Sequence, residues 1–355
     1  MFKRKVTFLG LFIALPLFAS AIASPSAVGA AEKPANVAGV SLRFVSRFTS
    51  GAGLGGAEIS AMDAKSKRIF SVNGAQNTVN IIDISKVRNP TLVKVVNLSG
   101  KGVIGIQSIA ALNGMVAVAT SVGSKTDAGR VFLMDVNGKL NSSAPNGVLV
   151  GSLPDSIHFS PDGRFVLTAN EGEPKDYCKV GGVLPETSDP KGSVSVIDVR
   201  AKKLQAKTLD FSAFNDRANR IISVGGRIYG PGASVAQDIE PEYIAISDDS
   251  KYAWVTLQEN NAIATVDLAS AKVIGISGLG FKNYNSEATG IDPSDRDKET
   301  RVRPVQAFGM YQPDAVAVAK LAGSNYLFTA NEGDAREYAC LMGGTDASII
   351  EAEDV

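Results

Sequence analysis

A single histidine, two cysteines and one tryptophan in 355 residues remove several chemistries at the outset. One histidine excludes a multi-histidine zinc centre. No Gly-x-Ser-x-Gly elbow accompanies His158 to suggest a Ser-His-Asp triad, and there is neither a CxxC pair nor a phosphate loop. His158 sits beside Phe159 in an alternating stretch, which points to a core or barrel-lining position. Gly51-x-Gly53-x-x-Gly56 has the dinucleotide-fingerprint spacing but leads into a strand pattern, not a helix, and no βαβ unit surrounds it. Basic and acidic residues balance at 36 each with no basic tract, so the electrostatic footprint of nucleic-acid binding is missing. Long amphipathic helical patterns are absent as well. Beyond the first residues no apolar run is long enough to cross a bilayer.

The N-terminus reads as a secretory signal. Lys3, Arg4 and Lys5 precede an apolar run from Val6 to Phe18, and small residues in Ala-x-Ala spacing follow. Pro16 interrupts the run, which argues against a retained anchor. The expected organisation is a signal peptide over residues 1–23, with cleavage as late as about residue 31. A flexible segment follows over 24–40, then one domain over 41–355. Export to the periplasm, the cell surface or the medium follows, with no membrane span after signal removal. Cys178 and Cys340 then become a candidate disulfide, with two free thiols as the alternative.

What is present is repetition. Thr168-Ala169-Asn170-Glu171-Gly172-Glu173 returns as Thr329-Ala330-Asn331-Glu332-Gly333-Asp334, each copy followed by a tyrosine and a cysteine. Around it, short alternating segments separated by turn residues recur in order. Asp155–Phe159, Arg164–Ala169 and Ser193–Asp198, with Lys203–Leu209, make the clearest unit, turned by Ser160-Pro161-Asp162-Gly163. Glu242–Ile246, Tyr252–Leu257 and Ala262–Asp267 repeat it, as do Glu58–Ala61, Arg68–Asn73 and Thr78–Asp83. A weaker unit runs from Ile106 to Asp135, and a last one begins at Asp314–Val318 and reaches Tyr326–Ala330. Four short strands recurring at roughly 45 residues, plus insertions, indicate an all-β propeller of four-stranded antiparallel blades. About five blades are visible, which suggests the N-terminal part of a seven-bladed ring, incomplete at its C-terminus. Ser41–Phe48 offers one outer strand for a closing blade whose other strands are missing; a five-bladed ring closed by Ser41–Phe48, with an irregular tail, is the alternative.

Strand direction places the interesting residues together. In an antiparallel blade the loop entering strand A and the loop joining B to C lie on one face. Asp155, Glu242 and Asp314, each preceded by proline, and Glu58 without one, begin A strands. Asn170, Glu171, Glu173, Asn331, Glu332 and Asp334 end B strands or follow them. These ten residues are the candidate ligand-binding set. The long insertions 173–191, 211–240 and 280–312 fall on the same face, where function concentrates on loops held by a scaffold. Two roles compete for the acids. They can accept backbone N–H bonds that tie blades together, or they can hold a ligand or a hard cation such as calcium. For a metal the candidates are Glu171 and Glu332, with Asp292 and Asp295 from an acidic loop whose spacing is not that of an EF-hand. No cofactor is otherwise indicated. Cys178 and Cys340, eight and nine residues after their asparagines, occupy equivalent loops and are placed to cross-link them.

Gly56–Ala61, Thr168–Pro174, Gly192–Asp198, Gly230–Ile244 and Val255–Ala262 resemble the choice-of-anchor I domain family. The closest correspondence is Phe308-Gly309-Met310-Tyr311-Gln312-Pro313-Asp314 with Thr329–Tyr338. The resemblance covers nearly all of the mature chain. It implies an exported or surface propeller of the YVTN/WD40-like kind, in a family that includes mesenchyme-specific cell surface glycoproteins. Some relatives carry an alkaline-phosphatase label. The expectation is a non-catalytic binding or adhesion module for an unidentified extracellular ligand. A metal-dependent phosphoesterase and a truncated gene product are the alternatives.

Overall fold

The computed structural model describes residues 41–176, 184–230, 232–333, 336–340 and 347–350. Four four-stranded antiparallel sheets follow one another along the chain. The first holds β1 (Ser60–Asp63), β2 (Arg68–Asn73), β3 (Thr78–Asp83) and β4 (Thr91–Asn97). The second holds β5 (Val103–Leu112), β6 (Met115–Val122), β7 (Ala128–Asp135) and β8 (Val148–Ser152). The third comprises β9 (Pro154–Phe159), β10 (Phe165–Asn170), β11 (Ser193–Asp198) and β12 (Ala206–Asp210). The fourth comprises β13 (Pro241–Ile246), β14 (Tyr252–Leu257), β15 (Ala262–Asp267) and β16 (Lys272–Gly278). Each sheet is a plain meander, so every strand pairs with its sequence neighbour. Small two-stranded pieces follow: β17 (Phe281–Asn283) with β18 (Phe308–Met310), and β19 (Pro313–Leu321) with β20 (Ser324–Asn331). A last pair joins β21 (Glu337–Cys340) to β22 (Ala347–Ile350).

The sheets stack as propeller blades. The first strands pack side by side in order, β1 on β5, β5 on β9, β9 on β13 and β13 on β19, and so line the axis. Period-two alternation feeds two different cores from one strand. Val116 and Val118 of β6 enter the core between the first and second blades with Phe70, Val72 and Ile81. Ala117 and Ala119, their immediate neighbours, enter the core between the second and third blades with Val131, Val166 and Ile197. In β10, Val166 faces that core while Leu167 and Ala169 face the next one, with Val255, Leu257 and Ala264. A one-residue register slip would swap both cores at once, which is why the alternation was so legible.

The 211–240 insertion folds onto the third core. Phe211, Phe214, Ile221, Val235, Ala236 and Ile239 are all buried within it. It carries helices α1 (Ala218–Ser223) and α2 (Val235–Asp238). Ser234 caps α2 through a reciprocal capping box with Gln237, whose side-chain amide also bonds the carbonyls of Leu184 and Asp189. Two insertions are thereby fastened to each other.

One expectation is corrected. Residues 41–48 form no strand; Leu42 and Phe44 lie exposed in irregular chain. A strand needs a ladder partner for its backbone groups, and this segment finds none among the described residues. The signal peptide and the 24–40 segment lie outside the described residues.

Candidate functional site

The three A strands that open on Pro-acid share a local device. Asn170 pairs with Pro154 and Ala169 with Ser156, so Asp155 is an extra residue bulged out of the β9–β10 ladder. The same shift at Pro313 and Ala315 bulges Asp314, and the β13–β14 ladder skips between Pro241 and Ile244, across Glu242. A β-bulge re-aims the side chain it carries. Proline fits here because it has no N–H to lose from the ladder. The residues before two of these prolines, Leu153 and Gln312, sit at φ 48° and 40°, in left-handed backbone that a branched or bulky side chain enters only when held there. Their carbonyls accept the amides of Glu171 and of Glu332. The end of strand B is thus tied to the start of strand A in both copies of the phrase.

At the junction of the third and fourth blades this gathers Asp155, Glu171 and Glu242. One carboxylate oxygen from each lies within 4.8 Å of the others. Glu171 is 1% exposed and Glu242 7%. Oxygens up to 4.8 Å apart match opposite ligands of one ion at calcium's bond length of about 2.4 Å. Register identifies the equivalent positions in the neighbouring blades. Leu257 pairs with Pro241 and Asn331 with Pro313, so Gln258 and Glu332 correspond to Glu171. At the next junction the amide of Gln258 stands where Glu171 stands, and its Nε2 donates to Glu332 Oε2 at 3.3 Å. Among the described residues the only set of three or more metal-type side chains is this trio.

Behind it lies an acidic nest. Glu173 is buried and pairs with Lys125 at 2.7 Å. Arg336, 1% exposed, places Nη1 3.0 Å from Asp238 Oδ1 and Nε 3.4 Å from Glu240 Oε1, and Nη2 donates to the Asp238 carbonyl. Its guanidinium also lies 4.8 Å from the Tyr229 ring centre, while that of Arg227 lies 3.7 Å from the same ring. Burial drives the Glu240 carboxyl well above the usual range. Arg336 opposes this, and Glu259, Glu173 and Glu171 reinforce it. Burial likewise raises Asp189 to about 8, with Arg336 lowering and Asp238 adding. Asp189 Oδ1 is fully buried without a hydrogen-bond partner. At neutral pH this region therefore stores protons as well as charge.

His158 of β9 meets Tyr243 of β13 edge-on, ring centres 4.6 Å apart, and burial lowers its pKa to about 4. Packed on the next blade's first strand, the neutral imidazole is a packing element rather than an acid–base group at ordinary pH. Tyr243 is raised, mainly by burial and then by the Asp314 charge.

The other sequence candidates are dispersed. Asn170 is buried and braces the blade, its Nδ2 donating to Ser193 and Ser195. Glu58 folds against Gly74 and Gly55, filling the space above the first blade's strand-B exit. Asp314 contributes its carbonyl to Thr256 Oγ1 at 2.9 Å. Asp292 accepts the Arg301 amide, and Asp295 is an exposed partner of Arg296, so both belong to a solvated loop. Glu332, Asp292 and Asp295 all stand outside the trio that contains Glu171. Asp334 and Cys178 lie outside the described residues; of Cys340 only its place in β21 is described, so the proposed disulfide falls there too.

Asp189, Asp238, Glu240, Glu259 and Arg336 were not singled out from the sequence as site residues. A signal existed for one. Arg336 stands five residues after Asn331, as Lys175 stands five after Asn170, so the repeat places a cation in both loops.

A family model described as choice-of-anchor I domain matches residues 58–355. No curated protein matches. Among solved structures, the periplasmic gluconolactonase PpgL of Pseudomonas aeruginosa is 15% identical, with a TM-score of 0.41, covering 65% of this chain and 59% of that one. Hydrazine synthase of Kuenenia stuttgartiensis is 13% identical at a TM-score of 0.38, covering 77% and 83%. The β-propeller domain of Cps50 (Swd1) from Myceliophteria thermophila is 8% identical at 0.36, covering 59% and 57%. Likenesses this distant carry no functional argument.

Proposed function

The chain belongs to the choice-of-anchor I domain family, and on that premise we propose that it is an exported, non-catalytic binding module. It engages an extracellular or surface ligand through the face that carries the strand-A acids and the inserted loops. A divalent cation, calcium by ligand chemistry, is held by Asp155, Glu171 and Glu242 and presents open coordination positions to the ligand. The observation that carries this reading is the convergence of three carboxylates from two blades, each delivered by a strand end. All-oxygen donors without histidine or thiolate suit a hard cation. Export rests on the leader-like N-terminus. No helix among the described residues is long and apolar enough to cross a membrane.

Calorimetric titration of the chelator-treated protein with calcium tests this. Saturable binding near one ion per chain, weakened at least tenfold by Glu171→Gln, is expected. Equal binding by both proteins contradicts it. Parallel assays with a generic phosphomonoester separate the alternative. Metal-dependent turnover that disappears in Glu171→Gln replaces the binding module with a phosphoesterase at the same site.

A further inference from the structure

We propose that the residue at the exit of strand B decides which blade junction takes a cation. Gln258, on this view, keeps the ion between the third and fourth blades by withholding a carboxylate from the next junction. The proposal rests on the cation reading of Asp155, Glu171 and Glu242 given above. Register builds three consecutive junctions on one plan. Ile106 pairs with Thr120 and Ser108 with Ala119, so Gln107 is bulged as Asp155 is, and Ser121 takes the place of Glu171. Each junction combines a bulged residue, the strand-B exit residue of its blade and the bulged residue of the next blade. The three sets are Gln107, Ser121 and Asp155; then Asp155, Glu171 and Glu242; then Glu242, Gln258 and Asp314. They hold one, three and two carboxylates in turn. Asp155 and Glu242 each belong to two sets, and a carboxylate has one oxygen for either side.

The two flanking sets hold an amide, and each amide is engaged within the fold. Gln107 Nε2 donates to Ser121 Oγ at 3.3 Å, and Gln258 Nε2 donates to Glu332 Oε2 at 3.3 Å. An N–H donor gives a buried oxygen what an ion would give it, and it sets a partial positive charge beside the place the ion would take. Calcium affinity also rises with the charge of the ligand set. A junction that exchanges a carboxylate for an amide therefore loses twice. Burial does not separate the two exit residues, since Glu171 is 1% exposed and Gln258 3%. Glutamate and glutamine have the same shape, so the discrimination comes down to an oxygen against an amide nitrogen.

Calorimetric titration of the chelator-treated protein with calcium counts the ions. The parent should bind one and Gln258→Glu two, the second within about tenfold of the first because ligand number and charge then match. Without calcium, Gln258→Glu sets a carboxylate against Glu332. Its melting temperature should then lie below the parent's and rise more when calcium is added. Gln258→Asp, the same charge on a shorter arm, repeats the test should the longer acid fail to fold. Glu171→Gln combined with Gln258→Glu leaves the net charge unchanged and should bind one ion, which a further Asp314→Asn removes. Two ions on the parent, or a single ion of parental affinity on both acid variants, overturns the proposal while the trio stands. No ion on the parent is a different result, which removes the trio and this proposal with it.

Discussion

Replacing Arg336 by alanine should be among the most costly single changes in the molecule. The guanidinium is buried and stands 3.0 Å from Asp238 and 3.4 Å from Glu240. With an effective dielectric near 20, the attraction to Asp238 is worth about 5 kcal/mol before desolvation, while Glu240, held well above the usual carboxyl range by burial, adds little charge to the pair. Most of that gross gain is offset by taking the two charges out of water, so the pair contributes little net stability. Removal is different, because it leaves Asp238 buried and uncompensated, at a cost of about 3–5 kcal/mol. Truncation also strips a cation from the Tyr229 ring, adding at most about 1 kcal/mol. Urea unfolding followed by far-ultraviolet circular dichroism reads the loss directly. Arg336→Lys keeps the charge but not the planar fork and should lose an intermediate amount. The loss from Arg336→Ala should grow with pH, because the acids it leaves behind can escape by holding protons only while the solution supplies them. A loss below about 1 kcal/mol for Arg336→Ala, with no pH dependence, would refute the buried nest and mean that water reaches these carboxylates.

Two other predictions concern protons. Asp189 has a native pKa of about 8 against a reference of 3.8, so between those values the native state holds the extra proton and stability falls as pH rises. Asp189→Asn should flatten that decline between about pH 4 and 8; a variant with the parent's slope would count against the raised carboxyl. His158 has the opposite sign. Its pKa of about 4 lies below the reference 6.5, so below 6.5 the unfolded state binds more protons and stability falls as pH drops. As the only histidine, it gives one unambiguous ring signal, which should not titrate in the native protein above pH 5. A midpoint near 6.5 would place it in water rather than against Tyr243.

The blades were readable because each strand serves two cores. Val116 and Ala117 must face opposite interfaces, and that demand is written as alternation in the sequence itself. Gathering Asp155, Glu171 and Glu242 on one face was readable too, since strand direction alone assigns the face. Their closeness was not. It depends on bulges at the Pro-acid steps and on the left-handed backbone at Leu153, neither of which leaves a periodic mark. The Asp189–Asp238–Arg336 nest was hidden for another reason. Arg336 and Asp238 lie 98 residues apart, one in the loop after the repeated phrase and the other in the 211–240 insertion, and only the folded loops bring them together. Ser41–Phe48 misled because a strand can be named from the sequence without the neighbour it must pair with, and none pairs with it among the described residues.

The central proposal is a cation held between the third and fourth blades. A crystal of the protein grown with calcium, or soaked with terbium and measured for anomalous scattering, tests this most directly. One ion peak bonded to Asp155, Glu171 and Glu242 together is expected, lost in a crystal of Glu171→Gln. Under saturating metal, ion-free density at those three carboxylates, with each engaged by the protein's own donors, would contradict it.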